Sequence, residues 1–197
     1  MTAIKERPIL FSAPMVRAIL EGRKTVTRRE VKKQAALNCL AAGFEPAFLA
    51  LAGNADLCPY GQPGNRLWVR ETWAQPAHLD PGPTVYRATY PDCIKGQGWE
   101  NLPPSDAIHW KPSIHMFRRD SRILLEITDV RVERLQDITN AESIAEGAEP
   151  VTLAEARSLD LLTYQAGFAR LWNSINGPGA WAADPWVWVV EFKRVTP

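Results

Sequence analysis

Histidine is scarce in this chain of 197 residues, which has three, at His78, His109 and His115. None stands in a helical pair such as His-Glu-x-x-His, so a zinc hydrolase site is not indicated. Cysteine is equally sparse: Cys39, Cys58 and Cys93 are scattered, with no Cys-x-x-Cys pair for metal or redox work. They read as reduced thiols. The sequence has no Gly-x-Gly-x-x-Gly, no Walker loop and no Gly-x-Ser-x-Gly elbow, which removes the sequence case for dinucleotide, P-loop and serine-hydrolase chemistry. Charge of one sign is missing too. Lys plus Arg is 23 against 22 for Asp plus Glu, a balance that argues against many simultaneous phosphate contacts but leaves room for a local basic cleft. The most apolar stretch, 35–53, is broken by Asn38, Gly43, Glu45 and Pro46, so a membrane span is not expected. Lys5, Glu6 and Arg7 stand where a signal peptide needs apolar residues. The expected compartment is the cytoplasm, and no metal or cofactor is expected.

The length fits a single domain over 1–197, with a core that needs neither disulfides nor metal. Eight Trp and 16 Pro are the compositional excess; such tryptophans anchor cores or line pockets for flat ligands. Helical spacing of Met15, Ile19 and Leu20 predicts a helix from about Ala13, with Pro14 in its first turn, Ser12 at its cap and Gly22 as its stop. Residues 31–56 read as a helical insertion, and 74–120 as long Pro- and Gly-rich loops with one strand at 84–90. Strands are expected at Arg66–Trp73, Ser121–Arg134 and Trp186–Val195, the second with a bulge near Thr128 where the apolar parity changes. Thr139 with Glu142 is a capping-box start for a helix ending at Gly147, and a further helix is expected over 153–173. Short strands with interspersed helices imply an α+β fold, a small barrel with helices packed outside it.

The segment Gly22-Arg23-Lys24-Thr25-Val26-Thr27-Arg28-Arg29 packs four cations and two hydroxyls into eight residues. Two readings fit. One is a basic, solvated strand edge. The other is a nucleophilic hydroxyl beside an amine whose pKa is lowered by burial and by Arg23, Arg28 and Arg29, so that it accepts the hydroxyl proton. On a regular strand Lys24 and Thr27 point to opposite faces. Convergence therefore requires Lys24 to lie in the turn leaving the helix, which a stop at Gly22 allows.

Gly22-x-Lys24-x-x-Thr27-x-Arg29 resembles the GxKxxTxR signature of the ASCH domain family. The likeness extends to the longer ASCH proteins of phages and prophages, through Phe11-Ser12-x-Pro14-Met15-Val16 and Pro63-Gly64-Asn65-Arg66-Leu67-Trp68-Val69-Arg70-Glu71-Thr72. It continues in Asp129-Val130-Arg131-Val132-Glu133, Ala145-Glu146-Gly147, Leu171-Trp172-x-Ser174-Ile175-Asn176-Gly177 and Pro185-Trp186-Val187-Trp188-Val189. This resemblance implies a PUA-like barrel, a fold associated with RNA and modified bases. It also implies an amidohydrolase acting on N4-acetylcytidine or a related modified pyrimidine nucleoside, with Lys24, Thr27 and Glu146 as catalytic groups. In that scheme Thr27 is the nucleophile and Lys24 its base, with Glu146 orienting the lysine or shuttling the proton.

Without the resemblance, Glu146 is equally an exposed acid at a helix end. Glu71, on the apolar face of its strand, is the rival acid or else a structural partner of Arg29 or Arg70. Substrate binding is assigned to Arg29, Tyr60, Trp68, Arg70 and Glu71, with Trp68 stacking and Arg70 donating. The alternative is a non-catalytic module binding RNA or a modified nucleotide, with Lys24, Arg28 and Arg29 on phosphate. A ribonuclease is the third reading, and the sequence offers it no histidine pair or acidic cluster.

Overall fold

The two longest strand signals become the centre of one sheet. In the computed structural model, which describes residues 4–75, 82–96, 98 and 101–195, β6 (Leu124–Arg134) pairs antiparallel with β7 (Trp186–Val195). Val187, Trp188, Val189 and Val190 are all buried; side chains apolar on both faces demand a covered strand. β3 (Arg66–Arg70) lies antiparallel to β6, β1 (Glu6–Leu10) runs parallel to β3, and β2 (Val26–Glu30) runs antiparallel to β7. The order is β1-β3-β6-β7-β2. The architecture is α+β with a mixed sheet, and the sheet is not closed into a barrel: β1 and β2 are its edges. A side chain crosses between these edges, with Arg29 Nη2 donating to the Leu10 carbonyl at 2.6 Å.

The bulge falls where the parity change places it. Ile127 pairs with Phe192 and Asp129 with Glu191, leaving Thr128 extra, so Leu125 and Ile127 before it and Val130 and Val132 after it are all buried.

One core holds Ile9, Leu67, Val69, Ile127, Trp188 and Val190. α1 (Ala13–Leu20) packs there through Val16 and Ile19, and the helical segment 31–56, with α2 (Gln34–Ala41) and α3 (Pro46–Leu49), adds Ala36 and Leu49. A second core holds Val26, Leu135, Val187, Val189, Phe168 and Trp172, and lies under α4 (Asn140–Ala145) and α6 (Thr163–Asn176), with α5 (Leu153–Ser158) against α6.

Three expected elements differ. The strand expected to reach Trp73 stops at Arg70; the chain turns, and β4 (Trp73–Ala74) pairs with β5 (Val85–Tyr86) in a separate ribbon. That pairing is also all that forms of the strand expected at 84–90. The helix expected over 153–173 is two, because Asp160 adopts φ +54° between α5 and α6. Among the described residues no helix is long and apolar enough to cross a membrane.

Candidate functional site

α1 ends in a turn that decides where Lys24 goes. Gly22 takes φ +76°, and the amides of Arg23 and Lys24 both donate to the Ala18 carbonyl, at 2.9 and 3.0 Å. A left-handed residue after a helix reverses the chain without side-chain strain. Lys24 is thus held in the turn and β2 begins only at Val26, as convergence with Thr27 requires. Ser12 does occupy the N-cap position of α1, but its side chain makes no capping bond; it lines the cleft described below.

The acid comes from a second helix end. The Thr139–Glu142 capping box opens α4 and Glu146 is its C-cap residue, followed by Gly147 at φ +75°. Glu146 is not an exposed helix-end acid: it and Lys24 are each only 3% exposed. Lys24 Nζ donates to Glu146 Oε2 at 2.6 Å, to the Glu146 carbonyl at 2.8 Å and to the Val26 carbonyl at 2.7 Å. All three ammonium hydrogens are committed.

The two turns touch at Gly147. A Cβ there would stand 3.0 Å from Ala18 Cβ and 3.4 Å from Lys24 Cβ. Gly147→Ala is therefore expected to cost at least about 1–2 kcal/mol for the left-handed backbone alone, read as a lower urea midpoint at unchanged m. An unchanged midpoint would mean that the turns do not depend on this approach.

Around the pair lies a network of arginines and carboxylates. Arg28, also buried, places Nη2 3.2 Å from Glu133 and 3.1 Å from Glu142, and Nη1 3.6 Å from Glu146 Oε1. Arg131 reaches Asp129, Glu133, Glu142 and Glu191. Burial holds the Lys24 amine below the ordinary lysine range; the Glu146 carboxylate opposes this, and the Arg29 and Arg28 charges add to it. Arg23, expected to contribute, is instead at the surface with Glu21 and Glu149.

Lys24, Thr27, Arg28, Arg29 and Glu146 line one cleft of about 800 Å³ beside the open edge of the sheet, with Phe11, Met15, Tyr60, Trp172 and Trp188 among its apolar walls. Thr27 and Arg29 share a face of β2, opposite Val190 and Trp188 of β7. The Thr27 hydroxyl has no hydrogen-bond partner among the described residues. Burial pushes the Tyr60 phenol up and the nearby Arg29 charge pulls it down. The cleft can therefore present a free hydroxyl, an amine with a depressed pKa and a carboxylate to a flat ligand held between aromatic walls.

Trp68, Arg70 and Glu71 do not line it. Trp68 is buried beneath the Arg70 guanidinium, 4.8 Å from its ring, and Arg70 opens instead into a second, smaller pocket. Glu71, buried, accepts two 2.9 Å bonds from Arg122, so it is a structural partner, though of neither Arg29 nor Arg70. The cause is the strand's early end, which takes Glu71 off the regular alternation. His115 borders the second pocket, and His78 lies outside the described residues.

Sequence reasoning missed Phe11, Trp172 and Trp188 as walls, because an apolar residue in an apolar segment carries no mark of a pocket. The Arg28–Glu133–Glu142 contacts were also missed; the capping box already accounted for Glu142. Comparison with family models, curated proteins and solved structures found no significant match.

Proposed function

We propose that the protein is a hydrolase that removes an acyl group from the exocyclic amine of a modified pyrimidine nucleoside, with N4-acetylcytidine as the reference substrate. One observation carries this reading: Lys24, Thr27 and Glu146, from a helix-exit turn, an edge strand and a helix end, line one cleft. The same reading takes the fold as a PUA-like barrel of the ASCH type, opened between β1 and β2, and the protein as cytoplasmic.

The chemistry follows from who holds the proton. Release of the Lys24 proton, which burial favours, leaves a neutral amine that the Glu146 carboxylate orients across the 2.6 Å contact. Lys24 then takes the Thr27 hydroxyl proton as Oγ1 bonds to the acyl carbon. Arg29, which lines the cleft without a carboxylate partner among the described residues, faces the charge that develops on the acyl oxygen. Collapse breaks the C–N bond, and the departing amine takes its proton from Lys24. Water, deprotonated by the same amine, attacks the acyl-threonine; as the acyl C–O bond breaks, Lys24 returns the proton to Thr27 Oγ1, and the product acid leaves and ionises in solvent. No cofactor enters the scheme.

In the alternative, a non-catalytic module for RNA or a modified nucleotide, Lys24, Arg28 and Arg29 would hold phosphate. Lys24 is already committed to the buried Glu146 carboxylate and Arg28 to the half-buried Glu133 and Glu142, which leaves Arg29.

Incubation with N4-acetylcytidine and chromatographic detection of cytidine tests the proposal directly. Because the reactive amine must be neutral and burial depresses its pKa, kcat should rise with pH and level off below the ordinary lysine value of about 10.4. A rate that falls across the same range would remove Lys24 from the role of base.

A further inference from the structure

A second pocket, of about 370 Å³, is lined by Arg70, Trp73, Lys111, Ile114, His115, Met116 and Phe117. Two cations and an imidazole face it with no acidic side chain among them. The side chains of Arg70 and Lys111 make no ion pair or hydrogen bond with described residues; each only lies against an indole, Arg70 on Trp68 at 4.8 Å and Lys111 on Trp73 at 4.7 Å. A pocket lined by two uncommitted cations and by no carboxylate is complementary to an anionic oxygen ligand.

Its position relates it to the reactive cleft. Thr72 and Ser113 line the cleft, whereas their chain neighbours Trp73 and Ile114 line the second pocket. The two pockets are thus lined by consecutive residues at 72–73 and at 113–114, and the Trp73–Lys111 bridge, with Lys111 N donating to the Trp73 carbonyl at 2.8 Å, pairs the two segments beside them. Beside the cations, Ile114 and Phe117 are exposed apolar side chains, suited to a sugar or base rather than to a bare ion.

We infer that this second pocket is a subsite for a phosphate group of a nucleotide, recognised by Arg70 and Lys111 next to the cleft that takes the modified base. The inference rests on the nucleoside-hydrolase reading for what occupies the cleft, but the phosphate contact stands on its own donors. Two sources supply that chemistry, the diester of a strand and the monoester of a mononucleotide.

The test is fluorescence anisotropy of a short labelled oligocytidylate on the full chain and on Lys111→Gln and Arg70→Gln, over a range of salt, with cytidine and cytidine 5′-monophosphate as competitors. Each substitution should weaken binding and lower the salt slope by about one ion. Competition by the monophosphate as strong as by unlabelled oligonucleotide assigns the site to a monoester; much weaker competition assigns it to a strand. Binding unchanged in both variants overturns the subsite, as does cytidine competing as well as its phosphate. The Lys111 side chain makes only the ring contact among the described residues, so Lys111→Gln decides the matter if Arg70→Gln fails to fold. Turnover of free N4-acetylcytidine, which carries no phosphate, should be the same in Lys111→Gln and the parent. Absence of that turnover with Lys111-dependent oligonucleotide binding would end the hydrolase reading and leave the subsite standing; the converse would do the opposite.

Discussion

Thr27→Ala should leave the fold intact and reduce turnover of N4-acetylcytidine by about 1,000-fold or more, as expected when a nucleophile is removed from groups that act as a unit. The hydroxyl has no hydrogen-bond partner among the described residues, so its deletion strands no donor or acceptor, and thermal unfolding should change little. Thr27→Ser keeps the oxygen and should retain most of the activity. The comparison separates a reacting hydroxyl from a packing methyl: equal losses in both variants would point to the methyl, and an active Thr27→Ala would rule out an acyl-threonine altogether.

The largest effect on stability is expected at Glu146. In Glu146→Gln the ammonium of Lys24, buried as deeply as its partner, loses its carboxylate, and removing one member of a buried ion pair costs about 3–5 kcal/mol. Deprotonation limits that cost. The Lys24 pKa is already depressed in the folded protein and should fall further without the carboxylate, whereas in the unfolded chain it returns to about 10.4. Between those two values the unfolded state binds more protons, so the stability of the variant rises with pH there, and below them the penalty is present in full. Urea midpoints of Glu146→Gln should therefore lie furthest below the parent at low pH and approach it as pH rises. Lys24→Met combined with Glu146→Gln should recover much of the loss and remain inactive, because the buried charge goes along with its partner. A single variant as stable as the parent at every pH would show that the ion pair does not hold the two turns together.

Legibility in the sequence followed the range of the forces involved. The stop at Gly22, the Thr139–Glu142 box, the bulge at Thr128 and the helical character of 31–56 were readable because each is decided within a few residues by backbone freedom, capping or spacing. Local spacing alone left Lys24 and Thr27 open between a basic strand edge and a reactive pair; the resemblance suggested the pair, and the Gly22 turn puts both on one cleft. Glu71 was misjudged because its strand ends one residue earlier, at Arg70, and its partner Arg122 lies 51 residues away. Trp68 and Arg70 were judged by strand parity alone, which gives a face and not the distance to a cleft beside the far edge strand. The open sheet escaped for a related reason: strand patterns say which segments pair, whereas closure depends on whether the two edges meet, and here an arginine side chain crosses instead of a ladder of backbone bonds.

The pairing of β2 with β7 alone sets a kinetic order for the appearance of the site. Lys24 and its acid are 122 residues apart, and the Thr25 carbonyl is fixed by the amide of Phe192, so no local event during synthesis brings the reactive groups together. At ribosomal speeds the interval between β2 and β7 is on the order of ten seconds. Through that time β2 has no native strand to pair with, and an unpaired edge of this kind is what chaperones cover. Contacts of such long range also place assembly of the site late on the folding path. On the proposed function, a nascent chain halted just before Trp186 would carry Lys24, Thr27 and Glu146 and still be inert, because it lacks the strand with which β2, the strand of Thr27, pairs.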